Sequence, residues 1–357
     1  MQEHEMIQLP CTHISHGIRV NLDWDYHALA HYADRTIAEL TAAYPRAARL
    51  YACALTDPQA LALWDVTGYA AIEKMGYNDH GQMHAQIVAA NALQLLALLN
   101  QAGIEPDVVA SGAGTTEDAI IAVLAAALLH DVGNQVARAN HEVYSVMLAQ
   151  PILANWLSQL YDDPVQRQIL TGFILSAIAS HDCTPAPFTL EGSIVAVADA
   201  ADMTKGRGRV AFDQGKADIH AISAMAIEQV TIQPGTETPA HIEVVMSNPA
   251  GLFQVEKLLG YKLTVTGLAQ YVSLRACVTS PDDADAEALH CLVFRQARFV
   301  PETVAAVEAM NELVDPVCGM AISANRAAGQ LVFQGRQYHF CSNACLARFQ
   351  AEPQKYT

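Results

Sequence analysis

His130 and Asp131 follow directly on the segment AIIAVLAAALL and precede VGN, so two side chains of metal-ligand type stand at the C-terminal end of what should be a buried helix. A buried carboxylate raises its pKa and neutralises unless a cation or a metal ion pairs with it. Asp199 meets the same difficulty inside the apolar run IVAVADAADM, where Asp202 is its only polar company. One divalent ion would answer both.

Further histidines fall at comparable places. His84 begins the helical segment HAQIVAANALQLLALL, with His80 one turn earlier on the same face. His181 ends ILTGFILSAIAS as His130 ends its own helix, and His141 opens NHEVYSVML. Singly, each is an ordinary core or surface histidine; together, histidines at the ends of successive apolar helices beside two aspartates without visible partners point to a metal-binding cluster. Imidazole and carboxylate ligands favour Fe, Mn, Zn or Ni. KGRGR, with Lys205, Arg207 and Arg209, is the densest basic cluster and is read as either a phosphate-receiving site or a solvated interdomain loop.

The elements that must position these residues are helical from about 24 to 205. Asp57–Pro58 reads as an N-cap and first-turn pair, and Thr115 with Glu117 and Asp118 starts a helix that is apolar all round and belongs in the centre of a bundle. After KGRGR the period changes to two: HIEVVMS and YVSLRACV alternate as half-buried strands do. The fold class expected is mainly α, a helical bundle followed by a small α+β subdomain and a small hairpin–helix module. The divisions are an N-terminal helical region over 1–74, a metal domain over 75–210, an α+β subdomain over 211–279, a linker and helix over 280–314, and a terminal module over 315–357. The linker is the acidic stretch SPDDADAEAL, the helix is expected to begin near Pro301, and no internal repeat or low-complexity segment is visible.

The order His84, His130–Asp131, Asp199, on helices, resembles the HD-domain metal-dependent phosphohydrolases over residues 75 to 208. The resemblance implies that these four hold one divalent metal, with Asp131 able to bridge to a second. His141 and His181 match the further histidines of the two-metal branch, so six ligands are implied. His130 and Asp131 then carry catalysis, and two ions roughly 3.5–4 Å apart would hold both oxygens of an in-line displacement at phosphorus. Gly133 and Asn134 depart from the Gly-Lys that follows the doublet in many members, so a cation near the leaving group is missing from its usual place. His80, Lys205 and Arg207 are the candidate substrate contacts.

Cys318, Cys341 and Cys345 fall in the last 40 residues, Cys341 and Cys345 four apart at a helix start, with His339 two residues before Cys341. DPVCGM, YHFCS and NACLARF resemble the YHS domain, related to the TRASH modules. Three thiolates with His339 would form a tetrahedral Zn site or a softer Cu(I) site. The remaining cysteines are scattered, unlike an evenly spaced disulfide framework.

Composition bounds the rest. The net charge is −17, and only 16% of residues are charged against roughly 25% in an ordinary soluble domain. Binding to a nucleic-acid polymer through phosphate neutralisation is therefore not expected. The longest apolar run, Ala119 to Leu129, is short of the roughly 20 residues that span a bilayer, and the acidic N-terminus lacks an export signal. A cytoplasmic protein with no membrane association is expected. Its leading function is hydrolysis of a phosphoester in a nucleotide or another small phosphorylated metabolite, with the cysteine module sensing metal or regulating. The alternatives are a di-iron HD-type oxygenase and a non-catalytic metal-sensing protein. The α+β subdomain carries no motif; homodimerisation or covering of the pocket is its expected role.

Overall fold

The computed structural model describes residues 11–15, 18–22, 24–207, 219–279, 291–302, 312–323, 327–334 and 336–356. The protein is mainly α. A short antiparallel hairpin, β1 (Cys11–Ser15) and β2 (Ile18–Leu22), precedes α1 (Trp24–Thr41), α2 (Pro45–Thr56), α3 (Pro58–Tyr69), α4 (Gln82–Gln101), α5 (Asp107–Ala110), α6 (Thr116–Leu129), α7 (His141–Leu160), α8 (Pro164–Ser180) and α9 (Leu190–Ala201). The expected caps are in place. Asp57 accepts from Gln59 N, and Thr115 and Asp118 form a reciprocal capping box; two further caps not expected from the sequence, Asp163 and Thr189, start α8 and α9.

The helix that is apolar all round is indeed the centre: α6 is buried from Asp118 to Leu129 and packs against α2, α4, α8 and α9. Its position matters for chemistry, because the last residue it fixes is His130.

A five-stranded sheet follows in the order β3 (Ile227–Pro234), β4 (Ala240–Met246), β5 (Val272–Val278), β6 (Cys291–Arg295), β7 (Arg298–Pro301). The two strands expected from alternation are β4 and β5, and they pair in parallel, Ala240 opposite Val272. A parallel pair needs a crossover. Here it contains the successive helical turns Gly251–Gln254, Val255–Gly260 and Tyr261–Val265. Cys277 and Cys291, directly opposed on β5 and β6, form a disulfide, so the scattered cysteines do include one bridge. One apolar core runs from the helices into this sheet.

The chain divides into two compact units, Met1–Phe299 and Val300–Thr357. In the second, β8 (Glu312–Val314) pairs with β9 (Ala321–Ser323), and β10 (Gly329–Phe333) pairs with β11 (Arg336–Phe340), followed by the helix Asn343–Ala351. The hairpin and helix match the expectation. Pro301 closes β7 and the next residue, Glu302, is helical, while the rest of the helix expected from Pro301, 303–311, lies outside the described residues; Glu312–Val314 is a strand, so that helix is bounded before Glu312. SPDDADAEAL and Arg209 also lie outside them. Among the described residues no helix is long and apolar enough to cross a membrane.

Asp57 does more than cap α3. Its second oxygen accepts from Trp156 Nε1 at 2.8 Å and Asn155 Nδ2 at 3.2 Å, which ties α3 to α7. Asp57→Ala is expected to cost about 2–4 kcal/mol, because a cap and a buried donor lose their partner together. The shift of the denaturant midpoint measures it, and a loss below about 0.5 kcal/mol would show that the tie carries little.

Candidate metal centre

Four histidine rings meet at the ends of α6 and α8 and the starts of α4 and α7, and each has already committed its Nδ1. His130 and His181 sit at the C-caps of α6 and α8, where helix carbonyls lack intrahelical partners, and each Nδ1 lies 2.8 Å from the carbonyl oxygen three residues back, Ala127 O and Ile178 O. His141 Nδ1 is 3.1 Å from Arg138 O. His84, in the first turn of α4, has no such carbonyl and uses Asp202 Oδ2 at 2.7 Å, which also accepts from Tyr26 Oη at 2.9 Å. With the ring proton on Nδ1, every Nε2 presents a lone pair inward.

These lone pairs face one another. His84 Nε2 and His130 Nε2 are 3.1 Å apart, and His141 Nε2 and His181 Nε2 are 3.0 Å apart. Two acceptors at that distance are favourable only with positive charge between them. Asp131 completes both pairs: its Oδ2 is 3.2 and 3.3 Å from His84 and His130, and its Oδ1 is 3.1 and 3.5 Å from His141 and His181. Asp199 Oδ1 joins the first pair at 3.2 and 3.7 Å. Ligand atoms about 2.1 Å from one ion lie roughly 3.0–3.5 Å from each other in octahedral or tetrahedral geometry, so both groups fit a transition metal. All six residues that the sequence nominates are thus brought together, as two ligand groups that share Asp131.

Electrostatics say the same. Burial would raise Asp131, yet the charge of His130 and the hydrogen bonds from His130 and His141 hold it well below the usual carboxylate range. Burial would likewise raise Asp199, but Lys262 and the hydrogen bonds from His130 and His84 keep it low. Burial and Arg207 push the His84 ring down, and hydrogen bonds to Asp131, Asp199 and Asp202 overcome both and raise it to about 10. Burial lowers His130 too, but Asp131 and Asp199 bring it up to about 9. The cluster is a strong attractor of positive charge.

The neighbourhood holds residues that sequence reasoning passed over. Asp182 lies 3.8 Å from His141 Nε2 and 3.9 Å from His181 Nε2; its signal was a second His-Asp doublet, His181–Asp182. Lys262, buried in the crossover of the sheet, donates to Asp199 Oδ2 at 2.6 Å. Gly133 packs so closely on α7 that a Cβ would collide with the His141 carbonyl oxygen, which excludes any other residue there. A cavity of about 490 Å³ opens on the cluster, lined by His80, Asp131, Arg138, Asp182, Asp199, Arg207 and Lys262 among others. His80 is kept neutral, burial holding it well below its ordinary value. Arg207 donates to the Asp79 and Asp202 carbonyls at 2.9 and 2.7 Å. Lys205 needs correction: it pairs with Glu228 of β3 at 2.5 Å and lines a different cavity, whereas Arg207, two residues on, lines the one over the cluster.

In the second unit, Cys318 Sγ and Cys341 Sγ are 3.5 Å apart, and Cys341 Sγ and Cys345 Sγ 3.7 Å. Tetrahedral thiolates at about 2.3 Å from Zn stand roughly 3.8 Å apart, so the spacing fits. The fourth member is Asp315, not His339. Asp315 accepts from Cys341 N and Val317 N at 2.8 Å each and thereby folds DPVCGM against the start of the helix. His339 stays on β11, outside the thiol group, its Nδ1 buried without a hydrogen-bond partner among the described residues. Hydrogen bonds with Asp315 and Cys318 raise the Cys341 thiol to about 12, so a cation must displace its proton.

The YHS domain family matches residues 313–357. The uncharacterized protein MJ1020 of Methanocaldococcus jannaschii is 44% identical over 208 residues, which is 58% of this chain and 80% of that protein. No solved structure matches the chain.

Two outcomes are expected. Metal uptake by the histidine–aspartate groups must displace protons held at about 9 and 10, whereas the two aspartates stay ionised far lower; apparent affinity should therefore rise with pH from 6 to 8, by up to about a hundredfold per unit for two displaced protons. A competition titration with a chelator at several pH values reads it, and a flat profile would contradict it. Deleting residues 315–357 should remove thiol-bound metal and leave histidine-bound metal in place. Loss of both on elemental analysis would make the two centres one folding unit.

Proposed function

The chain belongs to the same family as MJ1020, and we propose that it is a metal-dependent hydrolase of the HD type, acting on the phosphoester of a nucleotide or another small phosphorylated metabolite. The observation that carries this reading is one buried carboxylate, Asp131, whose two oxygens each face a histidine pair on the floor of a cavity lined by Arg138, Arg207 and Lys262.

His84, His130, Asp131 and Asp199 would hold one divalent ion, and Asp131, His141 and His181 a second, with Asp182 within reach. Bound there, Fe, Mn, Zn or Ni would acidify water and polarise a phosphoryl oxygen. The remaining work falls to the chain itself. Asp131 and Asp199 fix the negative charge that sets the ligands in place, and Asp202 with Tyr26 holds the His84 ring in one tautomer. His80 has its Nδ1 on Asn78 O at 2.6 Å, which leaves Nε2, 4.0 Å from Asp131 Oδ2, to accept or return a proton in the cavity. A cavity of about 490 Å³ suits a small molecule rather than a polymer. The thiol module would carry Zn or Cu(I) in a sensing or regulatory role, and its oxygen neighbour Asp315 favours Zn.

The ligand types are shared with di-iron oxygenases; the cations of the cavity favour the phosphoester. The test is elemental analysis of protein purified without added metal, then a phosphoester screen with Mn and Fe. Asp131→Ala is expected to lose both metals and hydrolysis, whereas His141→Ala and His181→Ala lose chiefly one ion. Two metals retained in Asp131→Ala would remove the bridging role. No phosphoester turnover, together with a mixed-valent iron signal, would transfer the chain to the oxygenase class.

A further inference from the structure

The three cations of the cavity differ in what already holds them. Lys262 is committed to Asp199 at 2.6 Å, with Asp182 at 3.6 Å. Arg207 is spent on two backbone carbonyls and stands 3.6 Å from Asp202 Oδ2. Arg138 has no carboxylate partner among the described residues. One Nη1 hydrogen goes to Asn134 Oδ1 at 2.9 Å, and the guanidinium lies 5.8 Å from the Tyr77 ring centroid. An amide and a ring face orient a guanidinium without neutralising it.

Asn134 is itself fixed. It is buried, and its Nδ2 donates to Asp131 Oδ1 at 2.9 Å and to Asp131 O at 3.0 Å. A single amide therefore ties the uncompensated cation to the carboxylate that both ligand groups share, and Nη1 also comes within 3.5 Å of His141 Nε2. The planar fork keeps its other N–H groups for an anion, a geometry that matches two oxygens of a tetrahedral phosphoryl group.

We propose that Arg138 is the phosphoryl-binding residue of the cavity and that Asn134 positions it in register with Asp131. This deepens the phosphoester reading and rests on it. The cation absent from the position after Gly133 in the sequence is then supplied one turn later, through the asparagine that occupies that position. Gln254, Leu258 and Lys262, which recur every four residues along the crossover, line the same cavity and make its lining only partly polar.

The test uses full-length, metal-loaded protein and inorganic phosphate as the probe, with calorimetry for affinity and elemental analysis for metal. In Arg138→Gln, metal content and melting temperature should hold while phosphate affinity falls about ten- to hundredfold and the KM of any hydrolysed ester rises by a similar factor, as expected for the loss of charge-assisted hydrogen bonds. Arg138→Lys should recover part of the loss. Phosphate bound as tightly by Arg138→Gln as by the wild type, with metals retained, overturns the proposal. Should Arg138→Gln lose its metals, Arg138→Lys decides, and wild-type affinity in that variant overturns the role of the guanidinium. Hydrolysis by the wild type with an unchanged Arg138→Gln removes the anion site alone. Phosphate binding that depends on Arg138 without any phosphoester turnover removes the hydrolase reading alone. A wild type that binds no phosphate removes both.

Discussion

Asp131 is the constraint on which the rest of the first unit depends. Its carboxylate is buried, and each of its oxygens faces the Nε2 atoms of two histidines. Such an arrangement is unfavourable without positive charge, which protons on the rings supply until a metal ion displaces them, since inward nitrogens and two anions cannot be packed together in a low-dielectric interior on their own account. The fold invests in holding it. α6 is buried on every side, and its burial delivers His130 and Asp131 to one place with little freedom to move.

The outward side of each ring is what makes the inward side effective. At the ends of α6 and α8 the histidine Nδ1 uses a carbonyl that the helix would otherwise leave unpartnered, so a helix terminus and a ligand tautomer are settled by one hydrogen bond. His84 lies at a helix start, where free N–H groups prevail, and it needs a carboxylate instead. Asp202 supplies it, anchored by Tyr26 from α1. The sheet contributes through its crossover, where buried Lys262 meets the oxygen of Asp199 that the histidines do not use. A segment without any recognisable motif thereby becomes part of the site.

Much of this was legible in the residues. His130, Asp131 and His181 announce themselves as polar groups at the ends of apolar helices, β4 and β5 by their alternation, and the thiol module by its cysteine spacing. What escaped depends on which elements meet across long stretches of chain. Lys262 reaches Asp199 over 63 residues and Asp202 reaches His84 over 118, separations for which local pattern carries no signal. Lys205 looked basic and close in sequence, yet β3 offered it Glu228 instead. Asp315 stands in DPVCGM without a signal that marks it as a ligand, and the structure gives it the place among the thiols that the spacing of His339 suggests. Asp182 was the one omission with a plain local signal, a repeat of the His-Asp doublet.

The central claim is that Asp131 divides the histidines into two metal-binding groups. Anomalous diffraction at the absorption edge of the native metal, on crystals of protein purified without added metal, tests it most directly. The account predicts two peaks on either side of the Asp131 carboxylate, one beside His84, His130 and Asp199 and the other beside His141 and His181. A single peak, or metal bound away from Asp131, would contradict it.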